Sequence, residues 1–139
     1  MLTTEQKGEI AYHRCAARAI EKGYILSQAQ AGARYDAVLD DGKKLLKVQI
    51  KYADGHPKEA SGSVEINLRR GGGSKNAAKV RTYTSSEIDL LLAFLPKVEG
   101  KILAFKPRTF AGKYSLSVRL VPSKSGQVRG TNLAKNFVW

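Results

Sequence analysis

An Asp-Gly pair between two apolar-rich runs, Asp41-Gly42 inside the segment Arg34 to Lys51, constrains the fold of this chain more than any other feature. Both residues tolerate the positive φ that tight hairpin turns need, so the segment predicts two antiparallel strands. On the second strand Lys47, Gln49 and Lys51 alternate with Val48 and Ile50. A strand's period of two places the three polar side chains on one face and the aliphatic ones on the other. Asp36, near the start of the first strand, can then face Gln49 and Lys51. An acid, an amide and an amine gathered there are what a divalent cation and a phosphodiester would require.

Around this hairpin the chain divides readily. Thr3 or Thr4 can cap a helix running to about Lys22, with Gln6 three residues after Thr3 as in a capping box, and Gly23 supplies the stop. Residues 24–27 read as a strand, and Asp54-Gly55-His56-Pro57 breaks the chain after the hairpin. Residues 63–69 alternate, with Val64, Ile66 and Leu68 inward, and 70–76 form a basic, glycine-rich loop. That loop lacks the Gly-Lys-Ser/Thr context of a phosphate-binding loop. Ser85 or Ser86 caps a short predicted helix over 87–95, ended by Pro96. Residues 101–106 and 114–121 read as strands, and the apolar tip Phe137-Val138-Trp139 docks on the body or on a second subunit. This order predicts an α/β (α+β mixed) domain over residues 1–139, with 63–83 as a basic strand and loop and 122–139 as a tail.

Charge then narrows the partner. Twenty-four Lys and Arg against 12 Asp and Glu give a net charge of +12 in 139 residues, which points to a polyanion, nucleic acid first. The charge is dispersed rather than packed into one arm, as suits a folded surface laid along a duplex. Cys15 is alone, so a disulfide within one chain is excluded, in keeping with a reducing cytoplasm. The N-terminus is polar and the longest apolar run, 90–95, is too short to span a bilayer, so no membrane association is expected. With only His13 and His56, a Cys/His metal site lacks parts, and His13 and Cys15 cannot meet on one helix at their spacing.

Tyr35-Asp36 followed by Gln49-Ile50-Lys51 resembles the two-part motif of PD-(D/E)XK nucleases, in a variant where glutamine replaces the second acid. Lys7-Gly8-Glu9 on the first helix, Arg34 before the Tyr-Asp pair, and Tyr83 to Asp89 leading into an apolar stretch extend the likeness over roughly residues 5–107. In that order they are similar to homing endonucleases encoded in group I introns. The resemblance implies a restriction-endonuclease-like core, a central mixed β-sheet flanked by helices. It implies a Mg2+-dependent endodeoxyribonuclease, with Mn2+ as a substitute, acting on double-stranded DNA rather than a small molecule. Asp36, Glu9 and the carbonyl of Ile50 would hold the metal, Lys51 would act on the attacking water, and Gln49 would position that water.

Each of these residues also has an ordinary reading. Asp36 could be an edge acid paired with Arg34 or Lys51, and Lys51 a solvated strand lysine. Glu9 shares a helix face with Tyr12, His13 and Ala16 that could aim at the sheet, or it is a first-turn acid placed by the helix dipole. For DNA, the sequence nominates Asn67, Arg69, Arg70, Lys75, Asn76, Lys79 and Arg81: Arg can bridge guanine and Asn adenine in the major groove. Most such contacts touch phosphate, so few of the seven should read bases. Cutting both strands takes two copies of one small domain, so a homo-oligomer, dimer or higher, is expected. Two rivals stand: a structure-selective nuclease such as a Holliday-junction resolvase, and a non-catalytic DNA-binding protein on the same fold.

Overall fold

The computed structural model describes residues 1–59, 61–69, 81–127 and 130–139. Helix α1 (Thr4–Glu21) opens the chain with the expected capping box: Thr3 accepts from the Gln6 backbone N–H while the Gln6 side chain takes the Thr3 N–H. Gly23, at φ +78°, ends it in the left-handed conformation. The strands are β1 (Ile25–Gln28), β2 (Ala37–Asp40), β3 (Leu45–Tyr52), β4 (Ser63–Asn67), β5 (Leu90–Leu95), β6 (Lys101–Phe105) and β7 (Ser115–Arg119). A single-turn helix α2 (Pro107–Phe110) stands between β6 and β7.

Five strands form a mixed sheet in the order β1-β2-β3-β5-β6, and β4 pairs with β7 in a separate two-stranded ribbon. Among the described strand pairs only β3 and β5 run parallel, with Val48 opposite Leu90 and Lys51 opposite Ala93. A core lies on each face of the large sheet. On one side Ala11, Cys15 and Ala19 of α1 meet Ala37, Leu39, Val48, Ile50, Leu92 and Phe94. On the other, the inward rows of the ribbon (Val64, Ile66, Leu68, Leu116, Val118) meet Leu91, Ala93, Leu95, Leu103 and Phe105. The sheet is mixed, as expected; one long helix covers one face and the ribbon covers the other, with α2 beside β5.

The helix expected over 87–95 is instead strand β5, preceded by a turn in which the Thr84 carbonyl accepts from Glu87 and Ile88. The cause is burial on both faces. Leu91, Ala93 and Leu95 serve one core while Leu92 and Phe94 serve the other, so the run has no alternation to show. In the β2–β3 hairpin only Gly42 takes a positive φ, of +87°. Asp41 keeps a negative φ and holds the loop with its carboxylate, which accepts from the N–H groups of Lys43 and Lys44 and is thereby held below the usual carboxylate pKa. The tip 137–139 docks on its own chain. It lies along β6, where Ala104 donates to Phe137 and Trp139 donates to Ile102, and the Phe105 and Phe137 rings sit 4.7 Å apart. That closes an otherwise open sheet edge. Among the described residues no helix is long and apolar enough to cross a membrane.

Candidate active site

Asp36 stands just before β2, where three strands fix its backbone. Its N–H donates to the Val48 carbonyl on β3, and its carbonyl accepts from Ala29 after β1. The side chain is as firmly placed. Oδ2 accepts the Gln49 amide at 2.7 Å and the Ile50 backbone N–H at 2.9 Å. An ionised carboxylate strengthens such bonds, so the pair also fixes the orientation of the acid. The hairpin thus brings Asp36 against Gln49, as the alternation of β3 predicts, and against the backbone N–H of Ile50.

The acid opens onto a cavity of about 500 Å³ between the first half of α1 and residues 28–36. Its walls include Glu5, Gly8, Glu9, Tyr12 and His13 from the helix, then Tyr35, Asp36 and Ile50. Glu9 does not turn toward the sheet, because Ala11, Cys15 and Ala19 occupy that face of the helix. With Tyr12 and His13 it lines the same cavity as Asp36. Among the described residues no three of His, Cys, Asp and Glu gather into a metal-binding group. Glu5, Glu9 and Asp36 all line this cavity, and carboxylate oxygens are the donors that a hard divalent cation takes alongside water and substrate phosphate. Cys15 takes no part: burial pushes its thiol up to about 12, leaving no thiolate at neutral pH.

Lys51 follows one residue beyond Ile50 on the same strand face as Gln49. Its ammonium lies 5.1 Å from the centroid of the Tyr83 ring, which is itself only 3% exposed. Lys47, the third polar residue of the row, is committed to structure. Its N–H donates to the Asp89 carboxylate and its ammonium to the Ser86 carbonyl at 2.6 Å, while Asp89 donates back to the Lys47 carbonyl. The 83–89 block therefore clamps the start of β5 onto β3. Sequence reasoning missed a second clamp, in which Lys7 on α1 meets Asp54 past β3 at 2.7 Å. The partnership raises the Lys7 pKa and lowers that of Asp54, in each case chiefly through the hydrogen bond between them. Neither residue carries a local motif that would have announced it.

Of the DNA-contact candidates, Asn67 and Arg69 are exposed on the outer side of the ribbon while Val64, Ile66 and Leu68 are fully buried beneath. The Asn67 side-chain oxygen accepts from the Arg69 N–H, and the Arg69 guanidinium lies 5.8 Å from the Tyr114 ring. Arg81 is exposed, and Arg70, Lys75, Asn76 and Lys79 lie outside the described residues.

Compared as a sequence profile, the PD-(D/E)XK endonuclease family matches residues 2–139. The solved structure of a bacterial homing endonuclease has a TM-score of 0.72 with this one at 23% identity, covering 99% of this chain and 89% of the other. At that identity the likeness shows a shared fold. Comparison with curated proteins finds no match.

Proposed function

The chain belongs to the PD-(D/E)XK endonuclease family, and on that premise we propose that it is a divalent-metal-dependent homing endonuclease, cutting duplex DNA at a specific sequence by phosphodiester hydrolysis. The observation that carries this reading is the Asp36 carboxylate, oriented by Gln49 and Ile50 on the wall of a cavity it shares with Glu9. The net charge of +12 supports a DNA substrate.

Asp36, Glu9 and the Ile50 carbonyl would hold Mg2+, with Mn2+ as a substitute. When bound, such a cation lowers the pKa of a water and offsets charge on the phosphate. The remaining roles belong to the chain. Gln49 spends its amide nitrogen on Asp36, which leaves its carbonyl oxygen as the acceptor that would orient the attacking water. Lys51, held close by on the same strand, would stabilise the charge that develops on the phosphorane or help deprotonate that water. Asn67 and Arg69 present donors that suit base edges, and Arg70, Lys75, Asn76, Lys79 and Arg81 would mainly follow phosphate. A homo-oligomer would supply a second site for the second strand.

One observation favours a rival, a DNA-binding protein without turnover: an amide stands where a second carboxylate is usual, and no three-residue acid or His/Cys cluster forms among the described residues. Incubation with randomised plasmid libraries and with four-way junctions, in Mg2+, Mn2+ or EDTA, separates the readings. The proposal expects metal-dependent double-strand cuts at one recovered sequence. Junction-only cleavage would assign a structure-selective nuclease, and binding without any cleavage would assign the rival.

A further inference from the structure

We propose that Tyr83 is a positioning residue for Lys51, its buried ring acting as the platform that holds the ammonium on the strand face it shares with Gln49. The inference rests on the reading of Lys51 given above. Lysine is a flexible side chain, and an amine that must meet one phosphate oxygen gains from every contact that narrows its rotamers. Tyr83 supplies a face at 5.1 Å, within the range over which an aromatic quadrupole attracts a cation. The ring cannot swing away. It is 3% exposed and packs in the core formed by the ribbon and β5, and its carbonyl accepts from Gly112 at 3.0 Å. Gly112, at φ +74°, takes a conformation that L side chains rarely adopt, so this support is itself conformationally specific. On β5 the residue registered with Lys51 is Ala93, the smallest side chain of that row, which leaves lateral room for an aromatic neighbour.

A ring that aims an amine should act on turnover rather than on DNA affinity, and the face rather than the hydroxyl should matter. Tyr83→Phe should cleave within about twofold of the parent. Tyr83→Leu should lose about 3- to 30-fold in kcat, the range that a cation–π contact of this kind spans, with DNA affinity unchanged. In the Lys51→Ala background the same Leu substitution should cost nothing further. If Tyr83→Leu turns over like the parent while Lys51→Ala is inactive, the inference about Tyr83 is overturned and Lys51 keeps its role. If Lys51→Ala itself cleaves normally, the underlying reading fails first. Because Tyr83→Leu removes a buried ring and could unfold, a second measurement uses the parent protein alone. The Lys51 ε-methylene protons, assigned by their disappearance in Lys51→Ala, should be shifted upfield by the ring and stay so in Tyr83→Phe. Resonance at the ordinary lysine position would refute the stacked arrangement.

Discussion

Replacing Gln49 by glutamate turns a hydrogen-bond donor on Asp36 into a like charge, and the consequence follows from the geometry. The amide nitrogen lies 2.7 Å from Asp36 Oδ2. Two carboxylates brought within about 4 Å repel by about 1 kcal/mol in water and about 4 kcal/mol where the effective dielectric is near 20. The pair is exposed, so solvent screening favours the lower end, and the lost charge-assisted hydrogen bond adds to it. A destabilisation of about 1–2 kcal/mol should lower Tm by roughly 3–8 °C for a domain of this size. A divalent cation seated between the two acids reverses the sign, since a second carboxylate then adds attraction. Thermal melts in EDTA and in Mg2+ therefore read the site without reference to cleavage. Gln49→Glu should melt below the parent in EDTA and recover most of the difference in Mg2+. Equal Tm values for parent and variant in both buffers would refute the placement of Gln49 against Asp36 at a metal-binding wall.

The Lys7–Asp54 clamp carries a pH signature. The Asp54 pKa is depressed, so its stabilisation is full above the unfolded value near 3.8 and is lost as pH falls through the lower folded value. Asp54→Asn should accordingly melt below the parent at neutral pH, and the gap should close on acidification below about 4; a gap that persists in acid would contradict the ion pair. DNA affinity should fall steeply with salt, by about 10³ to 10⁵ between 50 and 200 mM for a footprint of roughly six to ten phosphates. Within that total, Arg69→Ala should lose about 1–3 kcal/mol and relax preference at one base position, whereas Lys75→Ala should weaken all sequences alike. Equal losses on specific and scrambled duplexes in a salt titration would make the ribbon a non-specific clamp.

How much of this was legible depended on whether the determinant was local. The capping box at Thr3 and Gln6, the hairpin around Gly42 and the alternation of Val64, Ile66 and Leu68 each lie within a few residues, and each forms as read. Period-two logic also carried Asp36 across the hairpin to Gln49. Strand β5 was misread because a strand buried on both faces has lost the alternation that marks a strand, while the flanking Ser85-Ser86 and Pro96 imitate the ends of a helix. The orientation of Glu9 depended on which stripe of α1 is small enough to pack on the sheet. Ala11, Cys15 and Ala19 win that contest, which leaves Glu9 on the cavity side. The Lys7–Asp54 and Lys51–Tyr83 contacts join distant segments through the tertiary fold, and no short-range pattern encodes them.

The central claim, that Asp36 anchors a hydrolytic site, is tested most directly by measuring cleavage and binding together for Asp36→Asn. Asparagine keeps the shape and an acceptor for the Ile50 N–H but removes the charge that a cation would need. On a cleavable duplex in Mg2+, the rate constant should fall by about a thousandfold or more, several kcal/mol of transition-state stabilisation. Affinity for the same duplex, measured in Ca2+, should stay within a few-fold of the parent. Turnover close to that of the parent, with binding intact, would contradict the assignment of Asp36 and with it the account of the site.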